Sequence, residues 1–206
     1  MKKRDKGIIL AIAVVFAVII SLYLDKTIVG YVSLLRNVFL DNVFLILTFI
    51  SSEAIIFLFL TSLFLFRDKK RRWIVPLWLS LGISAIVSFI LKITIQRARP
   101  FQLGIVSLLP RLQEASHSIW NFSFPSSHAL FAFCAVPILS RQYPKLKKVW
   151  IAVAVLIAFS RVYLGLHFFS DVIAGGLIGY LIGVLIVKLE KEEKFGQKIY
   201  DKVMGR

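Results

Sequence analysis

The chain has 206 residues, 58% of them hydrophobic, yet carries a formal net charge of +15 from 26 Lys and Arg against 11 Asp and Glu. A mean hydropathy of +0.81 with only 18% charged residues excludes a soluble nucleic-acid binder and a disordered chain, since soluble domains run at about 25% charged and about 45–50% apolar. What remains is an all-α polytopic membrane protein whose basic residues belong in its loops, with Cys134 inside an apolar run and no second Cys to pair with.

A hydrocarbon core about 30 Å thick needs about 20 apolar residues in a helix. The first such segment, residues 7–24, carries no charge. Lys2, Lys3, Arg4 and Lys6 precede it as in a signal peptide, but the apolar stretch is long and no small-residue cleavage site precedes Asp25. A retained helix is expected. Residues 27–41 place apolar residues at helical spacing among isolated charges, the pattern of an interfacial amphipathic helix. The second span covers residues 43–66 and contains Glu53; the third covers 73–95. Residues 96–125 form a long polar connection, a length that is usually functional or flexible. The fourth span, 126–140, is short; the fifth, 149–166, contains Arg161; the sixth covers 172–187. Gly175, Gly179 and Gly183 give the sixth a small-residue face for close helix packing. No repeat appears, and residues 1–206 read as one domain.

The loops test this count. Basic residues cluster at the N-terminus, at Arg67–Arg72, at Arg141, Lys145, Lys147 and Lys148, and along the C-terminal tail from Lys188 to Arg206. These four groups hold most of the 26 and fall on one side of a six-span arrangement. Lys26, Arg36, Lys92, Arg97, Arg99, Arg111 and Arg161 fall on the other or near it. By the positive-inside rule both termini are cytoplasmic. A bacterial inner membrane suits so small a chain.

Ionisable groups inside membrane spans are costly and tend to mark function. Here they share one depth. Lys92 lies near the outer end of the third span, with Arg97 and Arg99 just beyond it. Ser126, Ser127 and His128 open the fourth, Arg161 and His167 close the fifth, and Asp171 opens the sixth. One such cation alone would be read as snorkelling to the interface. Three cations with two His and an Asp call for an anion with several oxygens. Pro125-Ser126-Ser127-His128 reads as a helix start with Ser as a cap, whose free N–H groups favour a phosphate. His167 and Asp171 are four residues apart, on one face if the helix begins early. A carboxylate there would hold the imidazole in one tautomer, for attack on phosphorus, with His128 as general acid.

These residues resemble a known family. Lys92 with Arg99-Pro100, then Pro125-Ser126-Ser127-His128, then Ser160-Arg161 with His167 and Asp171 resemble the three-part signature of the type 2 phosphatidic acid phosphatases, shared by vanadium haloperoxidases. The likeness covers residues 92–171 and keeps order and spacing. It implies six membrane helices and an outward-facing site. It also implies roles: His167 becomes a phosphohistidine, Asp171 orients it, and His128 protonates the leaving group. Lys92, Arg99 and Arg161 bind the phosphate oxygens, with Ser126 or Ser127 assisting. Ser127 departs from the pattern, since the family usually has Gly there. No metal and no cofactor is implied, and the sequence has only three His and no His-Glu-x-x-His. The third, His117, is expected to be a solvated loop residue. Glu53 is expected either to support the site or to sit as a neutral buried carboxyl.

The activity this implies is metal-independent dephosphorylation of a membrane lipid. Phosphatidylglycerophosphate is favoured slightly over undecaprenyl diphosphate, with phosphatidic acid and soluble esters weaker. The expected partners are a lipid substrate and the bilayer, with no nucleic acid; the motifs set no oligomeric state. A rival class is an anionic-lipid transporter or flippase, but such sites lie near the midplane and go with internal repeats. An intramembrane serine protease using Ser127 and His167 lacks the Gly-x-Ser-x-Gly surroundings and leaves three cations without a role.

Overall fold

The computed structural model describes residues 20–113 and 122–203. All regular elements in them are helical. α1 is helical over residues 20–33 and closes in a turn at Leu34–Arg36, whose N–H groups reach back to the carbonyls of Tyr31, Val32 and Ser33. Asn37 then caps α2 (Val38–Ile50), its Oδ1 accepting from the Leu40 N–H at 3.0 Å. The amphipathic helix expected over 27–41 is therefore two pieces: the end of α1 and the start of α2. Most of the first expected span, 7–24, lies outside the described residues.

The second expected span, 43–66, is not one helix. α2 and α3 (Glu53–Leu65) meet at a bend of 65°. The break falls at Ser51-Ser52, where the Ser51 Oγ donates to the Thr48 carbonyl at 3.2 Å. Serine side chains compete for backbone groups in this way, which disfavours and bends a helix. The third expected span is matched by α4 (Ile74–Ile95). Gln96 ends it in the left-handed region, φ 49, with its Nε2 donating to the Ile93 carbonyl at 3.0 Å. That reversal turns Arg97 and Arg99 back toward the helix ends.

A short α5 (Pro110–Gln113) lies in the long connection. α6 (Ser127–Gln142), α7 (Lys147–Tyr163) and α8 (Phe169–Glu193) follow. α7 stops three residues before the expected end, because residues 164–168 form a turn with Gly165 at φ +69. A side chain at Gly165 would collide with Val106, and its Cβ would lie 2.8 Å from the Arg36 guanidinium. α9 (Phe195–Val203) closes the described chain.

α6 is the hub. Its apolar residues are buried against α8, α7 and α4. Phe131, Cys134, Ile138 and Leu139 join Leu77 and Leu81 of α4, Leu60 and Phe64 of α3, and Ile186 of α8. The small-residue face of α8 works as expected. A Cβ on Gly179 would strike the Leu130 carbonyl, one on Gly183 the Cys134 carbonyl, and one on Gly175 would lie 2.6 Å from the Ser126 carbonyl. The two backbones thus touch along three turns. Outside the bundle, Leu58, Phe59, Ile86, Ile90, Leu181 and Leu185 are exposed, as bilayer solvent requires. Lys70–Ile95 and Phe169–Glu193 are each long and apolar enough to cross a membrane, and α2 with α3 would be if the bent pair is one span.

Candidate active site

Four helix ends meet at one pole: the C-terminal ends of α4 and α7 and the N-terminal ends of α6 and α8. Gly175 makes the meeting of α6 and α8 possible, because the Ser126 carbonyl occupies the place of its missing side chain. The Ser126 N–H donates to the Asp171 backbone carbonyl at 3.1 Å, locking the two helix starts together.

His167 lies in the turn before α8 rather than on it, and is 2% exposed. Its backbone N–H and that of Leu166 both reach the Arg161 carbonyl, at 3.2 and 3.0 Å, so the turn wraps tightly over the end of α7. Its Nδ1 stands 2.6 Å from the Ser123 carbonyl oxygen. A carbonyl only accepts, so Nδ1 carries the proton and Nε2 holds the lone pair. The orientation expected from Asp171 is therefore supplied first by Ser123. Asp171 Oδ2 lies 3.8 Å from Nδ1, beyond a hydrogen bond. The reason is that α8 begins at Phe169, which makes Asp171 a helix-start residue. Its Oδ2 accepts from the Phe168 N–H at 2.8 Å and from the Ser123 hydroxyl. Asp171 reaches the imidazole through Ser123. Burial first, then the charges of Arg99, Lys92 and Arg161, push His167 well below the ordinary histidine range. Its imidazole is neutral at pH 7.

The three expected cations converge on it. Lys92 Nζ donates to the Phe122 carbonyl at 2.7 Å. Arg99 Nη1 donates to the Leu166 carbonyl at 3.3 Å, and its backbone N–H to Gln102 Oε1 at 2.7 Å. Arg161 is buried, with Nη1 donating to Thr48 Oγ1 at 2.8 Å while its Nε is buried with no hydrogen-bond partner among the described residues. His128 feels Arg161, His167, Arg99 and Lys92 electrostatically. Glu53 faces the same group, within electrostatic reach of Lys92 and Arg161. Every expected site residue is thus at this pole, whereas His117 lies outside the described residues.

The serines differ from expectation. Ser126 holds the N-cap position of α6 but its side chain caps nothing. Its Oγ is buried and has no hydrogen-bond partner among the described residues. Pro125 precedes the cap, in a cis peptide with Phe124, instead of entering the first turn. Ser127 Oγ lies 2.9 Å from Ser88 Oγ of α4. An orphaned buried hydroxyl and an orphaned guanidinium nitrogen at one pole are two unmet polar demands, and phosphate oxygens accept from both.

Sequence reasoning missed Thr48, Ser88, Ser123, Ser170 and Asp25. For Thr48 and Ser88 the signal was a polar residue in an apolar span; Ser123, Ser170 and Asp25 lie between the spans and carried none. Asp25 had served merely as the end of an uncharged run. It is 2% exposed, and its carboxylate faces Arg97 at 2.6 Å.

Residues 73–195 match the model of the PAP2 superfamily. The chain belongs to that superfamily. Phosphatidylglycerophosphatase B of Bacillus subtilis (strain 168) is 36% identical to this PAP2 protein over 129 residues, covering 57% of this chain and 58% of that relative. Undecaprenyl-diphosphatase of Sulfolobus acidocaldarius is 32% identical over 133 residues, 63% of this chain and 61% of that one. The chain thus spans less than two thirds of the length of these curated relatives. Among solved structures, a transmembrane PAP2-type phosphatidylglycerolphosphate phosphatase from Bacillus subtilis superposes with a TM-score of 0.68 at 25% identity, over 89% of this chain and 97% of that one. Aquifex aeolicus LpxE gives 0.64 at 28% identity, over 80% and 95%. The PAP2 match begins at α4 and ends at α9, so it contains all the expected site residues except Glu53. Membrane-protein relatives and apolar helices together put this PAP2 protein in a membrane.

Proposed function

We propose that this chain is an integral-membrane lipid phosphatase that works through a phosphohistidine on His167. One observation carries the reading: Lys92, Arg99 and Arg161 surround a buried imidazole whose Nδ1 proton is held by a carbonyl. Nε2 of His167 attacks phosphorus in line with the ester or anhydride oxygen. His128 gives that oxygen a proton as the bond to phosphorus breaks. Water then loses a proton to His128 and attacks the phosphohistidine, releasing phosphate and restoring His167. Lys92, Arg99 and Arg161 match the charge on the equatorial oxygens, with Ser126 and Ser127 assisting; such matching supplies most of the catalysis in phosphoryl transfer. An incoming dianion also supplies the negative charge that lets His128 hold its proton. The cations do the work that a metal does elsewhere. Glu53, near Lys92 and Arg161, supports the cluster.

The substrate is a phosphorylated lipid whose chains stay in the bilayer. Phosphatidylglycerophosphate is preferred, supported by the Bacillus subtilis relative and structure. Undecaprenyl diphosphate is the alternative, supported by the Sulfolobus relative. The chain forms one domain with six spans in the inner membrane, both termini cytoplasmic and the site at the outer leaflet, as the basic loops favour. Here α6 and α7, of 16 and 17 residues, cross a core shortened by the polar pole. Purified protein given phosphatidylglycerophosphate, undecaprenyl diphosphate and phosphatidic acid tests the reading. Phosphate release from the first above the other two is expected, with vanadate inhibiting and EDTA without effect. Lipid binding without turnover would mark a carrier instead.

A further inference from the structure

Asp25 and Arg97 belong to no part of the mechanism above, yet they form a densely bonded polar cluster at the pole. Arg97 Nη2 meets Asp25 Oδ2 at 2.6 Å, and its Nη1 meets Asp171 Oδ1 at 2.6 Å. Nη1 also donates to Ser170 Oγ at 2.7 Å. Asp25 Oδ1 accepts from the Ser170 backbone N–H at 2.9 Å, and its Oδ2 from the Ser170 hydroxyl. The guanidinium lies 4.2 Å from the Phe168 ring centroid. Asp25, Ser170, Asp171 and Ser123 are all buried.

We propose that Asp25 and Arg97 are positioning residues: together they fix Asp171, and through Ser123 they fix the imidazole of His167. The chain of contacts runs Asp25 to Arg97, Arg97 to Asp171, the Ser123 hydroxyl to Asp171, and the Ser123 carbonyl to His167 Nδ1. The links to Asp25 and Asp171 are charge-assisted, and such bonds are shorter and stronger than neutral ones; the last, from the His167 N–H to the Ser123 carbonyl, is a neutral bond at 2.6 Å. The arrangement explains why α1 must pack at this pole, although it carries none of the three motifs. It also gives the carboxylate of Asp171 a neutralising partner that is not a phosphate ligand, leaving Arg99, Lys92 and Arg161 to the substrate. Breaking a buried pair leaves one charge uncompensated, so the effect of a single substitution is large.

This inference rests on His167 being the phosphate acceptor. The experiment compares wild type, Asp25→Asn, Arg97→Gln and His167→Ala in detergent with a short-chain phosphatidylglycerophosphate, reading kcat, KM, melting temperature and the pH profile of kcat/KM. Asp25→Asn and Arg97→Gln are expected to lower kcat about 10- to 100-fold with KM changed less than threefold. A direct phosphate ligand would raise KM instead. The acid limb reports neutral His167, which also faces Arg99, Lys92, Arg161, His128 and Asp171. Asp25→Asn removes a negative charge, so the limb moves to lower pH; Arg97→Gln removes a positive charge, so it moves to higher pH. A purely structural role lowers the melting temperature without moving the limb in opposite directions. If one variant fails to fold, the direction of the other decides. Activity within twofold of wild type with an unmoved limb overturns the proposal, as does a KM effect with kcat kept. Failure of the underlying reading looks different: wild type releases no phosphate, or His167→Ala remains active.

Discussion

The two ends of α4 carry the same kinds of residue and use them oppositely. At its start, Arg67 precedes a short 3-10 helix (Asp68–Trp73) that holds Lys70, Arg71 and Arg72, and each of these three has an everyday partner. Lys70 Nζ donates to the Gln142 carbonyl at 2.6 Å and sits 3.3 Å from the Tyr143 ring centroid. Arg71 meets Asp68 at 3.0 Å and the Leu65 carbonyl, and Arg72 reaches Gln197. At the other end, about 33 Å away along 22 residues, Lys92 is joined by Arg99 and Arg161 around a buried histidine. There the Arg161 Nε is buried with no hydrogen-bond partner among the described residues. Cations matched to carbonyls, a ring and a carboxylate hold a loop in place; a pole that gathers cations round a buried histidine, with Arg161 itself buried and one of its nitrogens unmatched among the described residues, waits for an anion. Residue type does not separate the two cases, but burial and partnering do.

The comparison breaks first at His167. His167→Ala is expected to lower phosphate release at least about 10⁴-fold, as loss of a nucleophile does, and ³²P trapping should label wild type there alone. Label on another residue would place the chemistry elsewhere. Next come the cations of that pole. Arg161→Ala, Arg99→Ala and Lys92→Ala should each cost about 100- to 1,000-fold in kcat/KM, the range for removing one preorganised donor to a charged transition state. A loss under tenfold for all three would erase the distinction between the ends.

A smaller effect sharpens how the pole is assembled. Gly179→Ala drives a methyl group into the Leu130 carbonyl, and overpacking of this kind costs about 1–3 kcal/mol. The melting temperature in detergent should fall, and activity with it, because α6 carries His128 on the same contact line. The pH profile sharpens its electrostatics. Burial and three cations hold His167 neutral to well below the ordinary histidine range, so the acid limb of kcat/KM should lie below that range.

The sequence exposed the pole because its motifs are short and local. Lys92, Arg99, Arg161, His128 and His167 could be named from spacing and depth, and α4, α6 and the glycine face of α8 from apolar runs. Elements set by side-chain competition were not legible in the same way. Ser51-Ser52 breaks what hydropathy reads as one span, because an apolar average is blind to a serine side chain, that of Ser51, bonding its own backbone. The start of α8 is set by the Asp171 carboxylate accepting from Phe168, which moved the direct partner of His167 from Asp171 to the Ser123 carbonyl. Asp25 is 145 residues from Ser170, and nothing in a linear reading joins them.

The smallest effect belongs to the start of α4, and it is the cleanest control. Lys70→Ala removes one bond to a carbonyl and one cation–π contact, the latter worth about 0.5–1 kcal/mol at an exposed site. Burial lowers the Lys70 pKa, with Arg67 nearby adding to the effect, so its charge is held less firmly than that of a free lysine. Turnover should stay within about twofold of wild type and the melting temperature should fall only slightly. The charge itself has another use that the same variant can report. If this end faces the cytoplasm, combining Lys70→Ala with loss of Arg71 and Arg72 should let some molecules insert in the opposite orientation. Those molecules would present the site to the wrong leaflet. Activity on intact cells would then fall while activity in detergent held. Equal loss in both assays would mean that this loop supports the site directly and that the two ends of α4 are not separable.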